Sequence, residues 1–377
     1  MPHNLKFQGF VGMIDPLRPH VKEAVESCKK AGVRACMITG DHPVTALAIA
    51  RELGLAQSPQ EVVTGQEIKN CSEAELRELV EKSKIFARVA PHEKFRIVTA
   101  FRANRNFVAV TGDGVNDAPA LQNANIGVAM GKAGTDVARD ASDIVISDDN
   151  FSTIVGGVEE GRIAYNNVRN VIYLLISTGA AEVLMVALAL AFGLPLPLLP
   201  AQLLWLNLVT NGIQDVALAF EPGLGDELNK PPRPPQERIF NRLMVERVLV
   251  GAVVMGGVGF GAFYHMLGTG WSEESARNAI LLLFVLFENF HLGNSRSETR
   301  SAFALSPFRG PFLLWGAITA TSIHVLFMYL PLGQKLLQTQ PLPWADWRTI
   351  IAMAFLIVVS MELHKLSWYL RYRNKSP

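Results

Sequence analysis

The sequence has few cysteines, almost no net charge and no apolar run at its start. Its cysteines, Cys28, Cys36 and Cys71, lack the spacing of a metal site, so reduced cytosolic thiols are expected rather than a disulfide-bonded scaffold. The net charge of +1 creates no broad positive field, and no nucleic-acid partner is expected. Because polar residues follow Met1, we expect no secretory leader and a first half that stays in the cytoplasm.

The first 150 residues alternate strand and helix signals. This alternation predicts a parallel sheet with helices on both faces, the arrangement of an α/β domain. Residues 55–84 are more polar, and we interpret them as an insertion. The predicted strands are 7–13, 33–38, 85–89, 107–110, 126–130 and 143–146.

From residue 151 to residue 377 the composition changes. A polar helix beginning at residue 151 is predicted to continue into the first of six long apolar segments. Each segment approaches the roughly 20 residues that cross a bilayer, and six such runs exceed what a soluble core can bury. We therefore predict an all-α bundle of six transmembrane helices, at about 168–192, 198–220, 245–267, 276–292, 312–330 and 347–366.

Basic residues concentrate in alternate connections of the predicted bundle. The other connections are nearly uncharged, acidic or mixed, so the positive-inside bias places the basic ones, and both termini, in the cytoplasm. We expect a multi-pass protein of the plasma (inner) membrane. The basic residues are Lys230, Arg233, Arg238, Arg242 and Arg247, then Arg296, Arg300 and Arg309, and finally Arg371, Arg373 and Lys375.

A glycine-rich turn at 111–121 follows the predicted strand 107–110. The turn holds two carboxylates and an amide at the carboxyl edge of the sheet, where open α/β sheets bind ligands. Asp113 is the expected Mg²⁺ ligand, because this cation prefers carboxylate oxygens together with phosphate. Asn116 and Asp117 are expected to support it.

Other polar groups are predicted to converge on the same edge. The Thr39 hydroxyl and Gly40 amide can hold phosphate oxygens, and Lys94 supplies a positive charge for a phosphoryl group. Thr-Gly-Asp alone is usually only a turn, but four pieces in this order, each at a strand end, indicate phosphate chemistry.

These motifs resemble the second half of the phosphorylation domain of P-type cation-transporting ATPases, which has a haloacid-dehalogenase-like (Rossmann-like) fold. The membrane half continues the resemblance, which is strongest to the calcium-pump branch. The matching residues are Asp15-Pro-Leu-Arg18, Met37-Ile-Thr-Gly-Asp41, Phe86-Ala-Arg-Val-Ala-Pro91, Lys94 and 111–121, then Gly193-Leu-Pro195 and Gln202-Leu-Leu-Trp-Leu-Asn-Leu-Val-Thr210.

The resemblance implies ATP-driven cation transport with Mg²⁺ as cofactor. It gives catalytic roles to Asp15, Asp41 and the groups above, and assigns Arg18 and Arg88 to cofactor binding. The family's phosphorylated Asp-Lys-Thr-Gly-Thr motif, its nucleotide domain and its first four membrane helices have no counterpart here. We therefore expect a C-terminal portion that cannot phosphorylate itself, and a separate chain as one possible source of the N-terminal half.

Polar side chains inside the predicted spans mark an ion path, because such groups are costly in lipid. Glu182 lies midway along the first span and Glu288 within the fourth. A shared face of the second span carries Asn207, Thr210, Asn211, Gln214 and Asp215. The resemblance makes Glu182, Asn207, Thr210 and Glu288 cation ligands.

Two departures leave the transported cation open. Gly179 stands where calcium pumps have an asparagine, and Asn211 where they have a bridging aspartate. Asp215, one turn on, can restore the charge, so Ca²⁺ is favoured ahead of Na⁺ or H⁺. Two other functions compete with a pump: a catalytically silent fragment or partner subunit, and a membrane-anchored Mg²⁺-dependent phosphatase with Asp15 as its nucleophile.

Overall fold

The computed structural model describes residues 6, 8, 9, 17–234 and 237–372. The strand predicted at 7–13 and the candidate residue Asp15 therefore lie outside the described residues. The described chain forms two compact units. The first comprises residues up to 160 together with 225–234, and the second comprises 161–224 together with 237–372.

The first unit alternates short strands with helices. Its strands are β1 (Met37–Ile38), β2 (Val62–Thr64), β3 (Ile85–Ala87), β4 (Ala109–Gly112), β5 (Ile126–Met130) and β6 (Ile144–Ile146). Its helices are α1 (Val21–Lys30), α2 (Pro43–Glu52), α3 (Gly65–Asn70), α4 (Glu73–Lys82), α5 (Pro91–Ala103), α6 (Ala118–Asn123) and α7 (Asp136–Asp140).

The strands form two three-stranded sheets, ordered β1-β3-β2 and β4-β5-β6. Every pairing is parallel: Met37 is opposite Ile85 in one sheet, and Val128 is opposite Ile144 in the other. Helices cover the sheets and bury the central strands, since Phe86 and Ala129 are fully buried. The prediction of an α/β domain with parallel sheets is confirmed.

Residues 55–84 are not a polar insertion, which corrects the sequence interpretation. They contribute β2, which pairs with β3, and the two capped helices α3 and α4. Ile68 of α3 and Leu76 and Val80 of α4 are fully buried. The polar composition of this stretch hid the core, because α4 is amphipathic and exposes its charged face. One buried apolar residue in each turn is enough to pack the helix against its neighbours.

The strand predicted at 33–38 is shorter than expected. Only Met37 and Ile38 pair with a neighbour. The Val33 N–H instead donates to the Cys28 carbonyl to close the end of α1, and Arg34 donates to the carbonyls of Val80 and Ser83. The backbone N–H of Val33 is therefore used by the end of α1 and is not available to a longer strand ladder.

The second unit is helical. It contains residues 161–191 of the long helix α8 and the helices that follow α8 along the chain. Their bounds are α8 (Phe151–Ala191), α9 (Pro200–Leu204), α10 (Asn211–Ala219), α11 (Arg242–Gly268), α12 (Glu273–Ser295), α13 (Pro311–Tyr329), α14 (Pro331–Leu337) and α15 (Trp344–Tyr372).

Among the described residues, four helices are long and apolar enough to cross a membrane: α8, α11, α13 and α15. These four helices indicate a multi-pass membrane protein. The other two predicted segments are also helical. The stretch 198–220 is divided into α9, a π-helical segment Trp205–Thr210 and α10.

The segment predicted at 276–292 lies within α12. This helix is buried on almost every side, from Ala276 to Ser295, in the largest apolar cluster of the second unit. It also carries Glu288, Asn289, His291 and Asn294, which lower its average hydropathy. A helix that is apolar all round apart from a few polar groups is typical of a bundle centre. The count of six spans stays a prediction.

Two of the basic residues used for orientation are not loop charges. Arg247 lies within α11, is fully buried, and stacks on the Tyr173 ring with its guanidinium carbon 3.7 Å from the centroid. Arg296 is also buried and forms a salt bridge with Glu221. The positive-inside argument therefore rests on the other basic residues of these connections.

Candidate functional site

The glycine-rich turn after β4 is closed by Asp117. Its Oδ2 atom accepts hydrogen bonds from the backbone N–H groups of Asp113 and Gly114, each at 3.3 Å. Gly112 is required at this turn, because a Cβ atom there would lie 2.6 Å from the Cβ of Asp117. The turn thus presents Asp113 at the carboxyl end of β4, as the sequence predicted.

Lys94 is held against this turn. It lies in the first turn of α5, where the Glu93 carboxylate accepts a hydrogen bond from the Ala90 N–H. The Lys94 Nζ atom is 2.7 Å from Asp117 Oδ1, and both side chains are largely buried. The structure therefore brings Lys94 and Asp117 together. Asp117 forms an ion pair with Lys94 and also closes the glycine-rich turn.

Thr39, Gly40 and Asp41 form the loop after β1. The Thr39 hydroxyl donates to Asp41 Oδ2 at 2.7 Å, and the Asp41 N–H donates back to the Thr39 oxygen at 3.1 Å. The Arg88 N–H donates to the Asp41 carbonyl, which joins this loop to the end of β3. Arg88 has a left-handed backbone with φ of 55°, and its side chain is exposed.

The segment that precedes α7 is hydrogen-bonded both to the glycine-rich turn and to Asp149. The Thr135 N–H donates to the Asp113 carbonyl at 2.8 Å, and Thr135 also caps α7. Next to it, the Asp149 carboxylate accepts from the N–H groups of Lys132 and Ala133. These bonds, led by that from Lys132, lower the pKa of Asp149 below its usual range.

The remaining predicted residues of this unit are less connected. Arg18 donates to the Asp149 carbonyl at 2.9 Å, on a different loop from Thr39 and Gly40. Asn116 has an exposed side chain. Among residues 17–234 and 237–372, no three His, Cys, Asp or Glu side chains converge as metal ligands.

The donor set nevertheless fits a Mg²⁺ ion that also takes phosphate oxygens. Asp113 offers an exposed carboxylate, while the Asp117 carboxylate is already used by Lys94 and the turn. Because Mg²⁺ usually keeps several waters and takes only one or two protein carboxylates, a single strong ligand suffices. The geometry favours Asp113 as the ligand and Asp117 as its support.

The second unit holds a separate polar cluster around Glu182 on α8. The Asn207 amide donates to Glu182 Oε2 at 2.9 Å, and the Thr210 hydroxyl lies 2.5 Å from Glu288 Oε2. Asn207 and Thr210 belong to the π-helical segment, and Glu288 to α12.

Five buried oxygens of this cluster lack a partner. Glu182, Asn211, Gln214, Asp215 and Glu288 each have one buried side-chain oxygen that accepts no hydrogen bond. None of the three carboxylates has a basic partner among the described residues. Buried carboxylates without partners are costly, so a cation or protons must compensate them.

Sequence reasoning missed several members of the cluster. Thr178 accepts a hydrogen bond from the Asn211 amide at 3.2 Å, and Asn289 accepts one from the Gln214 amide at the same distance. Asn289 directly follows Glu288, so a second polar residue inside an apolar segment was an available signal. Thr178 gave no signal, since threonines are common in membrane helices.

Residues 195–367 match the family described as cation transporting ATPase, C-terminus. Residues 3–125 match the haloacid dehalogenase-like hydrolases. The two matched segments correspond to the helical unit and to the α/β unit, respectively.

Individual relatives agree with these families. The chain is 38% identical to a calcium-transporting ATPase of Bacillus subtilis, over 96% of this chain and 41% of that protein. It is 39% identical to the probable cation-transporting ATPase F of Mycobacterium tuberculosis, over 95% and 40% respectively. It is also 35% identical to the endoplasmic reticulum calcium ATPase srcA of Aspergillus fumigatus, over 97% and 41%. The chain thus spans about two fifths of the length of these relatives.

Proposed function

Since the chain belongs to the family of P-type cation-transporting ATPases, we propose that its helical unit forms the cation path of an ATP-driven pump. The proposed ligands are Glu182, Asn207, Thr210, Asn211, Asp215 and Glu288. The α/β unit would supply part of the phosphorylation site that drives transport.

One observation carries this proposal: the buried oxygens around Glu182 and Glu288 that accept no hydrogen bond. Three of them are carboxylate oxygens and two are amide oxygens. Oxygen ligands of this kind suit hard cations. A purely structural polar network would leave far fewer acceptors unpaired, because unpaired buried polar groups are destabilising.

Ca²⁺ is the cation we propose first. Two of the relatives named above are called calcium-transporting or calcium ATPases. Glu182 and Glu288, the two carboxylates that are hydrogen-bonded to Asn207 and Thr210, can balance a divalent charge. Asn211 brings no charge of its own, so Asp215 takes that place in the proposed site. Na⁺ or H⁺ are the alternative outcomes of the experiment below.

The α/β unit is proposed to bind Mg²⁺ and the phosphate groups of ATP. Asp113 would hold the Mg²⁺, which supplies positive charge to a transferring phosphoryl group. Thr39, Gly40, Asp41 and Lys94 would hold phosphate oxygens, with Arg18, Arg88 and Asn116 around them. The sequence contains no Asp-Lys-Thr-Gly string, so the proposed phosphorylated aspartate lies outside it.

The membrane arrangement is also proposed. The connections that carry Lys230 and Arg300 would face the cytoplasm, with both termini and the α/β unit on that side. The start of α12, which carries Glu273 and Glu274, would face outward with the connection that precedes it. We propose the plasma (inner) membrane as the location.

Direct cation binding tests the proposal. The purified chain in lipid nanodiscs is titrated with radioactive Ca²⁺, and separately with Na⁺ and at different proton concentrations. We expect Ca²⁺ binding by the wild type and an affinity loss of about tenfold or more for Glu182→Gln, because a charged ligand is removed. Asp215→Asn should weaken binding in the same direction.

The matched control is Glu274→Gln, which removes an exposed carboxylate from the first turn of α12. It should bind Ca²⁺ as the wild type does. Binding that Glu182→Gln leaves unchanged would overturn the ligand assignment. If Na⁺ or a proton titration saturates the site while Ca²⁺ does not, the proposed cation is wrong but the site is not.

A further inference from the structure

Trp205 is the first residue of the π-helical segment that carries Asn207 and Thr210. In this segment the Asn211 N–H bonds to the Leu206 carbonyl, five residues back instead of four. Such a turn is rare and is frequently found at functional sites. Since it is less stable than an α-helical turn, neighbouring groups must hold its register.

One such group is His324 on α13. The indole N–H of Trp205 donates to Nδ1 of His324 at 3.2 Å. His324 is fully buried and Trp205 nearly so. Phe327, one turn further along α13, packs on the Trp205 ring with the centroids 4.4 Å apart. Trp205 is therefore an anchor between the π-helical segment and α13.

The bond fixes the state of the imidazole. Because Nδ1 accepts the indole proton, it must carry a lone pair, and the proton of the neutral ring lies on Nε2. Nε2 itself has no hydrogen-bond partner among the described residues. His324 is thus a neutral acceptor whose one described polar contact within the bundle is Trp205.

We propose that His324 is a positioning residue for the cation site. By holding the Trp205 indole, it fixes the start of the π-helical segment and so directs Asn207 toward Glu182 and Thr210 toward Glu288. This inference rests on the proposed function, because it concerns the affinity of the same site. Removal of the acceptor leaves the indole N–H buried and unpaired, which favours a shift of the segment.

Two substitutions separate this role from simple packing. His324→Leu fills similar space but cannot accept a hydrogen bond. His324→Asn keeps an amide oxygen close to the position of Nδ1 and restores the acceptor. We expect His324→Leu to weaken Ca²⁺ binding in nanodiscs about tenfold, and His324→Asn to bind within about threefold of the wild type.

A double-mutant cycle adds a second test. Trp205→Phe keeps an aromatic ring and removes the donor, so it should weaken binding as His324→Leu does. The double variant should then be no weaker than either single variant, because both break one bond. The ¹⁵N-indole NMR signal of Trp205 should also shift in His324→Leu and remain near the wild-type position in His324→Asn.

The outcomes distinguish this inference from the proposed function. If the wild type binds none of the cations tested, the proposed function fails and the inference falls with it. If the wild type binds Ca²⁺ but His324→Leu binds it equally well, only the positioning role is wrong. Equal losses for His324→Leu and His324→Asn, or additive losses in the cycle, would mean that His324 acts by packing alone.

Discussion

The salt bridge between Arg296 and Glu221 is the most deeply buried ion pair of the described residues. Arg296 Nε donates to Glu221 Oε1 at 2.8 Å, and the same guanidinium donates to the carbonyls of Leu305 and Ser306. Gly310 leaves room for the carboxylate, since a Cβ there would lie 2.2 Å from Glu221 Oε2. This pair joins the end of α10 to the segment after α12.

Removal of one partner of this pair should destabilise the folded protein more than removal of both partners. Arg296→Met leaves a buried carboxylate unpaired and should lower the free energy of unfolding by about 3–5 kcal/mol. The double variant Arg296→Met, Glu221→Gln should recover part of that loss. Thermal unfolding in detergent provides the measurement. Arg242→Met is the control, because the Arg242–Glu246 pair is exposed on the arginine side and should contribute little to stability. Equal losses for both arginine variants would contradict this ranking.

Asp149 should make the α/β unit sensitive to acid. Its pKa is lowered by the N–H groups of Lys132 and Ala133, so the folded state binds this proton less readily than the unfolded chain. The carboxylate therefore contributes stability above its ordinary pKa, and this contribution is lost as the pH falls toward the lowered value. Asp149→Asn should flatten the dependence of unfolding on pH below about 4, measured by urea denaturation at several pH values.

Asn is a suitable replacement because it tolerates the left-handed backbone of residue 149, whose φ is 55°. Asp140→Asn serves as the control, because Asp140 is an exposed carboxylate at the end of α7. An unchanged slope for Asp149→Asn would show that the loop bonds do not persist in solution.

At the scale of elements, the stretch 55–84 carries a core that its composition concealed. Leu76 on α4 is fully buried against β3 and α5 in one apolar cluster. Leu76→Ala should therefore destabilise the α/β unit by about 2–5 kcal/mol. Glu78→Ala on the exposed face of the same helix should change stability by less than about 0.5 kcal/mol. Hydrogen exchange at the β3 amides would report both, and equal protection in the two variants would contradict the assignment of this core.

Strong local signals made several elements predictable. The run 126–130 is β5 as predicted, and the turn that carries Asp113 directly follows β4. Both were predictable because strand and glycine-turn patterns are local in sequence. The parallel order of strands also followed from the alternation with helices. In contrast, β2 has three residues and only one that is fully buried, so its pairing with β3 depends on contacts that periodicity does not show.

The polar cluster around Glu182 was predictable in part of its membership but not in its geometry, and its binding of a cation stays a prediction. Polar residues inside apolar segments marked Glu182, Glu288 and the polar face of 198–220. The π-helical segment was invisible, because one additional residue in a turn leaves no compositional trace. The partnership of Trp205 with His324 was equally hidden, since the two residues are far apart in sequence and each also fits an interfacial or packing role.

At the scale of the whole molecule, the orientation proposed for the bundle can be tested by labelling. In a variant without Cys28, Cys36 and Cys71, single cysteines are introduced as Glu274→Cys and Arg300→Cys. A membrane-impermeant maleimide should label Glu274→Cys in intact cells, because the start of α12 is proposed to face outward. Arg300→Cys should be labelled only after permeabilisation. The reverse pattern would invert the proposed topology, and labelling of both from outside would contradict an odd number of crossings between them.

The turn that interrupts 198–220 has a mechanical implication. A π turn stores one residue beyond what an α-helix needs, so conversion of residues 205–210 to α-helical geometry would rotate α9 against α10 by about 100° and advance it by about 1.5 Å. Asn207 and Thr210 would then swing away from the acidic residues they now face. Rewinding of this one segment would therefore move its oxygen ligands far enough to open or close the coordination shell of a cation.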